Sequence, residues 1–240
     1  SKIVKPEVAV ITNIAGAHFK NFNTLKDIAK AKAEIINNIT KGGNIILNRD
    51  DKFFGYLSNK AKKNEISITS FGLKKKSDIY LMSIKKIKNY FRLKINVKNK
   101  FFYFDTKHST NNFINNILAC ISTMFVLNLN LNKMKKKFIG FKIPEGRGDI
   151  KIIKKFNKRF KFIDESYNAN LLSMTSAINN MDYYNDNKNH RKLVLLGDML
   201  ELGKKSKKFH RTLSVIINRS NIDKVFVCGK YIKETFNYLS

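Results

Sequence analysis

The chain predicts an α/β protein in two parts, a mostly parallel sheet with an antiparallel side followed by a truncated Rossmann-like unit. Three observations predict it. From residue 8 onward, short apolar runs alternate with stretches of helical period. Between residues 79 and 104 the period becomes two, interrupted by Lys/Asn turns. Beyond residue 150 the alternation of strands and helices returns.

Val8 to Ile11 is a short apolar run and reads as a buried strand, ending in the polar, small-residue stretch Thr12 to His18. From Thr24 to Ile39 the apolar positions Leu25, Ile28, Ala29, Ala33, Ile36 and Ile39 keep helical spacing, with Thr24 as the expected N-cap and Gly42-Gly43 as the stop. Asn44 to Leu47 predicts a second strand, Phe53 to Lys63 a helix and Ile66 to Phe71 a third strand. Ile79 to Ile84, Tyr90 to Val97 and Phe101 to Phe104 predict antiparallel strands. Asn112 to Leu127 predicts an apolar helix, and Leu131 to Phe138 another.

Ile143-Pro144-Glu145-Gly146-Arg147-Gly148 holds one of only two prolines and two glycines, and predicts a domain boundary, giving domains 1–143 and 144–240. Beyond it, Ile150 to Ile153, Phe160 to Ile163, Leu193 to Leu196 and Val225 to Cys228 read as strands. Helices are expected near Ser173 to Met181 and Ser206 to Asn218. These strands are too few to close an ordinary sheet of this type.

The 240 residues carry 47 Lys+Arg against 18 Asp+Glu, a formal charge of +29. Only seven of the basic residues are Arg, while Asn occurs 30 times, Phe 19 times and Trp never. This is the bias that A+T-rich codons produce without any partner. The lysines are scattered, and Arg, the usual residue for bidentate base contacts, is scarce. Drift and solvated faces are therefore favoured over a dedicated groove, and no specific nucleic-acid partner is expected. No run approaches the ~18 apolar residues of a membrane helix. The first residues lack the pattern of a signal peptide. Cys120 and Cys228 lie far apart in apolar runs, so no disulfide framework is expected, and a reducing cytoplasm fits best.

Open α/β sheets bind ligands at the carboxyl ends of their strands. Three polar clusters fall there: Thr12 to His18, Asp164 to Asn170 and Gly197 to Gly203. Singly, each has a bland explanation. His18 alone reads as a satisfied loop histidine, Lys32 as a solvated charge, and Asn168 and Asn170 as turn residues.

The order and wording of these clusters together are far more specific, and they resemble the Mur ligases over essentially the whole chain. The strings that carry this are Val10-Ile11-Thr12-Asn13-Ile14 with Ala17-His18, Ile28-Ala29-Lys30-Ala31-Lys32-Ala33-Glu34-Ile35, Leu47-Asn48 with Asp50-Asp51, and Gly146-Arg147-Gly148. Asp164-Glu165-Ser166-Tyr167-Asn168-Ala169-Asn170 and Leu196-Gly197-Asp198-Met199-Leu200-Glu201-Leu202-Gly203, followed by His210, complete the set. The last two are similar to the branch of the family that joins D-alanyl-D-alanine to UDP-N-acetylmuramoyl-tripeptide.

The resemblance implies an ATP-dependent amide ligase of peptidoglycan synthesis working through an acyl phosphate, with Mg²⁺ and cationic side chains drawing a polyphosphate toward a carboxylate. It implies His18 and Lys32 as catalytic residues and Mg²⁺ ligands, Lys32 as the carbamate, with Lys30 as its alternative in a shifted register. It implies adenine contact by Asn116, ribose or phosphate contact by Arg147, and nucleotide contact by Asp164. Thr12, Asn13, Tyr167, Asn168 and Asn170 are the implied substrate-binding residues. A cytoplasmic monomer is expected. The chain departs from the family at Asn112, where the family has His, and at Leu171, where it has Pro.

No Gly-x-x-Gly-Lys-Ser/Thr phosphate loop occurs among these residues. The expectation is therefore an internal piece of a longer ligase, without ligase turnover by itself. The rival readings are another Mur or folylpolyglutamate-type ligase, a Lys-rich nucleic-acid-binding module, and an inactive remnant.

Overall fold

The computed structural model describes residues 4–15, 22, 24–181 and 191–240. The described residues divide into two compact units, one of residues 4–14 and 25–141, the other of residues 15, 22, 24 and 142–240.

The first unit is a six-stranded sheet in strand order 1-2-3-4-5-6. Strands β1 (Val8–Ile11), β2 (Asn44–Asn48) and β3 (Ser67–Gly72) pair in parallel, and β4 (Ile79–Ile87) joins β3 in parallel through only two residue pairs. Strands β5 (Tyr90–Val97) and β6 (Lys100–Thr106) then add antiparallel. The expected mixed sheet is therefore present. Asp78 ties the start of β4 to β3 by accepting from the Ser70 N–H at 2.8 Å and from the Ser70 hydroxyl at 2.6 Å.

Helix α1 (Leu25–Ala33), helix α2 (Phe54–Lys63) and helix α3 (Asn111–Val126) cover this sheet. On α3, Ile114, Ile117, Leu118, Ile121 and Ser122 are buried, the one-sided spacing of a core-facing helix. They pack with Phe71, Ile79, Leu93, Ile95 and Phe104. Ile45, Ile46 and Leu47 on β2 are all fully buried. Adjacent strand residues point to opposite faces, so both faces of β2 are covered. The continuous apolar runs of the parallel strands follow from that double cover.

Two segments differ from the sequence expectation. The helix expected to Ile39 ends as α-helix at Ala33 and continues as a 3-10 turn over Glu34–Asn38. There the chain is drawn back to β1, with Thr40 N–H bonded to the Pro6 carbonyl and Asn44 N–H to that of Glu7. The helix expected over Leu131 to Phe138 is instead two 3-10 turns, Leu131–Met134 and Lys137–Gly140. The Lys135 carbonyl accepts from the Asp105 N–H at 2.7 Å, so the segment seals the free edge of β6 rather than completing its own α-helical ladder.

The second unit has an antiparallel hairpin of β7 (Asp149–Lys155) and β8 (Lys158–Asp164), then α4 (Leu171–Asn180), β9 (Leu193–Gly197), α5 (Ser206–Asn218), β10 (Lys224–Cys228) and a short α6 (Lys233–Phe236). β9 and β10 pair in parallel. The hairpin turns through Phe156 and Asn157, both at positive φ, the geometry that matches the twist of the flanking strands. Ile178, Leu196, Met199, Leu202, Leu213, Ile217 and Ile232 form the core of this unit. Among the described residues, no helix is long and apolar enough to cross a membrane.

Candidate functional site

The carboxyl ends of β1, β2 and β3 form a single bonded rim in the first unit. Thr12 and Asn13 leave the end of β1 and are exposed. The loop after β2 holds them from one side. Asn48 Nδ2 donates to the Thr12 carbonyl at 3.0 Å, and Asp51 Oδ2 accepts from the Ile14 N–H at 2.7 Å. Asp51 Oδ1 also accepts from the Phe53 N–H at 2.8 Å, which ties the same carboxylate to the entry of α2. Asp50 Oδ2 accepts from the Leu73 N–H at 2.6 Å, joining the rim to the end of β3.

Lys32 reaches this rim from the last turn of α1, where its Nζ donates to the Asn13 carbonyl at 2.9 Å. Of the two lysines weighed in the sequence, Lys32 is the one whose ammonium meets Asn13. Thr12, Asn13 and Lys32 are thus brought together. His18 lies outside the described residues. Asn48 and Asp51 were not among the expected site residues, although their signal was present: a polar run directly after a buried strand.

Asn116 is exposed on the first half of α3. It lies three residues after Phe113, so the two share a face of the helix. His108 stacks on Phe113 with centroids 4.6 Å apart, and Phe113 meets Phe141 edge-on at 5.7 Å. Burial pushes the His108 ring below its usual pKa, with a main-chain bond at Phe141 acting the other way.

In the second unit the β7–β8 hairpin brings Arg147 and the stretch Asp164 to Tyr167 side by side, because Asp149 and Asp164 are register partners. The Arg147 guanidinium carbon lies 3.9 Å from the centroid of the Tyr167 ring. Asp164 forms a tight turn with Ser166, whose hydroxyl and main-chain N–H hold its carboxyl below the ordinary range. Burial of the Glu165 carboxyl, with Asp164 and Asp149 close by, pushes that group up. Asn170 caps α4: its side chain accepts from the Ser173 N–H at 2.9 Å, while the Ser173 hydroxyl accepts from the Asn170 N–H. Its amide oxygen is therefore committed to the helix. Tyr167 and Asn168 are exposed.

The glycine-aspartate-methionine string after β9 turns inward. The Asp198 carboxylate accepts from the N–H groups of Lys230, Tyr231 and Ile232 at 3.0, 2.9 and 2.7 Å. His210 is fully buried, and its Nε2 accepts from the Met199 N–H at 3.1 Å. Its Nδ1, 2.8 Å from the Ser206 carbonyl, therefore carries the proton. This string is a brace.

Among the described residues, no group of three or more His, Cys, Asp or Glu is placed to hold a metal ion. The acidic side chains of the rim, Asp50 and Asp51, are spent on main-chain N–H groups. The described residues therefore do not by themselves make a magnesium site. An exposed guanidinium on an aromatic ring does fit an anionic nucleotide phosphate.

The chain is thus an α/β protein of two units, the first carrying a polar rim over three parallel strands. Family models agree: the Mur ligase middle domain matches residues 1–124, and the Mur ligase glutamate ligase domain matches residues 150–237. The chain belongs to the Mur ligase family. It is 34% identical over 236 residues to the UDP-N-acetylmuramoyl-tripeptide–D-alanyl-D-alanine ligase of Buchnera aphidicola subsp. Baizongia pistaciae, covering 98% of this chain and 49% of the relative. The enzyme of the same name from Rickettsia prowazekii is 30% identical over 239 residues, covering 99% and 52%. A crystal structure of MurF from Acinetobacter baumannii superposes with a TM-score of 0.86 at 25% identity, covering 99% of this chain and 50% of that one. The chain spans about half the length of the curated relatives it matches. This membership favours the ligase reading over a Lys-rich nucleic-acid-binding module.

Proposed function

We propose that this chain is the part of a D-alanyl-D-alanine-adding Mur ligase that carries the carboxyl-end rim and the arginine–tyrosine pair. In this reading residues 1–143 belong to the ATP-binding central domain and residues 144–240 to the C-terminal domain. The reaction joins D-alanyl-D-alanine to UDP-N-acetylmuramoyl-tripeptide in the cytoplasm, at the expense of ATP, as a monomer. ATP phosphorylates the terminal carboxylate of the tripeptide. The dipeptide amine then attacks the acyl phosphate, the amide bond forms and inorganic phosphate leaves.

The observation that carries the reading is the wording of the two strings at the ends of β8 and β9, together with relatives of that name at 30–34% identity over nearly the whole chain. Thr12, whose carbonyl Asn48 holds, and Asn13, next to the Ile14 N–H that Asp51 holds, present polar groups at the mouth of the parallel sheet. Lys32 delivers its amine to the same point, and His18, which lies outside the described residues, is assigned as a metal ligand. Asn116 serves the adenine, Arg147 the ribose or phosphate, and Asp164 the nucleotide. Tyr167, Asn168 and Asn170 face the peptide substrates. Magnesium, when bound, neutralises phosphate charge; a carbamate on Lys32 supplies an oxygen ligand where an ammonium supplies none.

The test is a fusion of this chain to the upstream half of the Acinetobacter baumannii relative, assayed for ATP-dependent amide product. D-Alanyl-D-alanine is expected to be used, with meso-diaminopimelate and D-glutamate refused, and Lys32→Ala is expected to abolish product. Equal use of all three amines would overturn the assignment.

A further inference from the structure

The segments that flank the β7–β8 hairpin continue its ladder beyond the strands. Gly148 N–H donates to the Asp164 carbonyl at 2.7 Å, and Tyr167 N–H donates to the Gly146 carbonyl at 3.0 Å. Both glycines have positive φ, +75° and +93°. A Cβ on Gly146 would come within 2.9 Å of the Tyr167 nitrogen, and one on Gly148 within 3.0 Å of Glu165 Oε1. The string Gly-Arg-Gly is therefore a close clip on the backbone of residues 164–167, and only a residue without a side chain allows it on either side of Arg147. The clip places the Arg147 guanidinium over the Tyr167 ring, its carbon 3.9 Å from the centroid.

We propose that Tyr167 is a positioning residue for Arg147, holding the guanidinium by its flat face so that its N–H edges are presented to a polyphosphate. The inference rests on the reading above that Arg147 serves the nucleotide. The chemistry favours this pairing over an ion pair. A carboxylate partner would occupy the N–H fork and cancel the charge, whereas a ring attracts the cation through its face and leaves the five donors in their plane. Of the acids nearby, Glu145 is engaged with Lys151, Asp149 with the Gly146 N–H and Lys151, and Asp164 with the Ser166 N–H. Tyr167 is thereby given a role toward Arg147 that its place in the Ser-Tyr-Asn string does not disclose.

The experiment follows the Arg147 Nε–Hε resonance of the 240-residue chain during titration with inorganic pyrophosphate. A residue-specific signal is needed because a chain of charge +29 binds polyanions weakly over its whole surface. The unsubstituted chain is expected to show a saturable shift at Arg147. Tyr167→Phe keeps the ring and is expected to keep the Kd. Tyr167→Leu is expected to raise the Kd about two- to fivefold, the scale of an exposed cation–π contact, and to move the Arg147 resonance away from its ring-shifted position. Gly146→Ala, which leaves both side chains intact but crowds Tyr167, is expected to do the same. If Tyr167→Leu changes neither the Kd nor the resonance, the positioning role is overturned while the phosphate role of Arg147 stands. If pyrophosphate fails to shift Arg147 in the unsubstituted chain, both fall.

Discussion

The two units solve the same packing problem to different degrees. In the first, β2 is buried on both faces and the parallel strands are well covered, while β4 and β6 leave Met82, Ile84, Phe101 and Tyr103 exposed. In the second, the hairpin exposes Ile150, Ile152, Phe160 and Phe162, and β9 exposes Leu195 to 74%. Helices α4, α5 and α6 lie on the one face of β9 and β10 that carries Leu196, Val194, Val225 and Val227. Both units have an apolar core and specific polar ties, Asp51 and Asp78 in the first and Asp198 and His210 in the second, but the second leaves more of its strand surface uncovered. Side-chain burial is spread over many contacts, while a carboxylate with three N–H partners concentrates its contribution at one atom group.

The largest test of that contrast is a pair of truncations. Phe104→Ala removes a fully buried ring that meets Phe138 edge-on, and is expected to cost about 3–5 kcal/mol in urea unfolding of the first unit. Leu195→Ala on the open face of the second is expected to stay within about 0.5 kcal/mol. Comparable losses at the two positions would erase the distinction.

Next comes Asp198→Ala, which leaves three N–H groups without their acceptor and is expected to destabilise the second unit by about 2–3 kcal/mol. Hydrogen exchange at Lys230, Tyr231 and Ile232 should accelerate with it; unchanged protection there would mean that the brace is not what holds the end of β10.

A smaller effect is expected from Asp51→Ala in the first unit, about 1–2 kcal/mol, because the surrounding core remains. The Ile14 and Phe53 amides should lose protection while those of β2 keep theirs. Uniform loss across the sheet would show that the rim is part of the core rather than a clamp upon it.

The smallest is a pH effect at Asp78. Burial raises the pKa of this carboxyl, but the Lys98 ammonium and the Ser70 hydroxyl and N–H outweigh that and hold it below the usual value. A folded pKa below the unfolded one contributes stability that is complete above the ordinary carboxylate range and is lost as pH falls through the folded value. Asp78→Asn is therefore expected to flatten the acid side of the stability profile of the first unit. An unchanged slope below about pH 4 would remove Asp78 from the account.

The order of strands and helices was legible because periodicity is a local property. Ile28, Ala29, Ala33 and Ile36 already describe one buried stripe, and Ile45 to Leu47 a doubly covered strand. The turns at 131–140 were not legible, since their shape depends on a bond between Asp105 and Lys135. The short helix α6 was missed for a similar reason, its start being held by Asp198 more than 30 residues earlier. In the candidate site, Thr12, Asn13 and Lys32 could be marked as polar groups near a strand end. That Asn48 bonds Thr12 and Asp51 bonds the adjacent Ile14 could not.

By itself the sequence determined the α/β class, the succession of elements and the strings that set the chain in its family. Those depend on propensity, period and residue type within a few positions. Only the tertiary structure decided which groups meet: Ile14 with Asp51 across 37 residues, Lys32 with Asn13 across 19, and Arg147 with the ring of Tyr167. The physical reason is range. A hydrogen bond or a stacked cation acts over a few ångströms, and whether distant residues come that close is settled by sheet register and the packing of helices on it, which no local pattern contains.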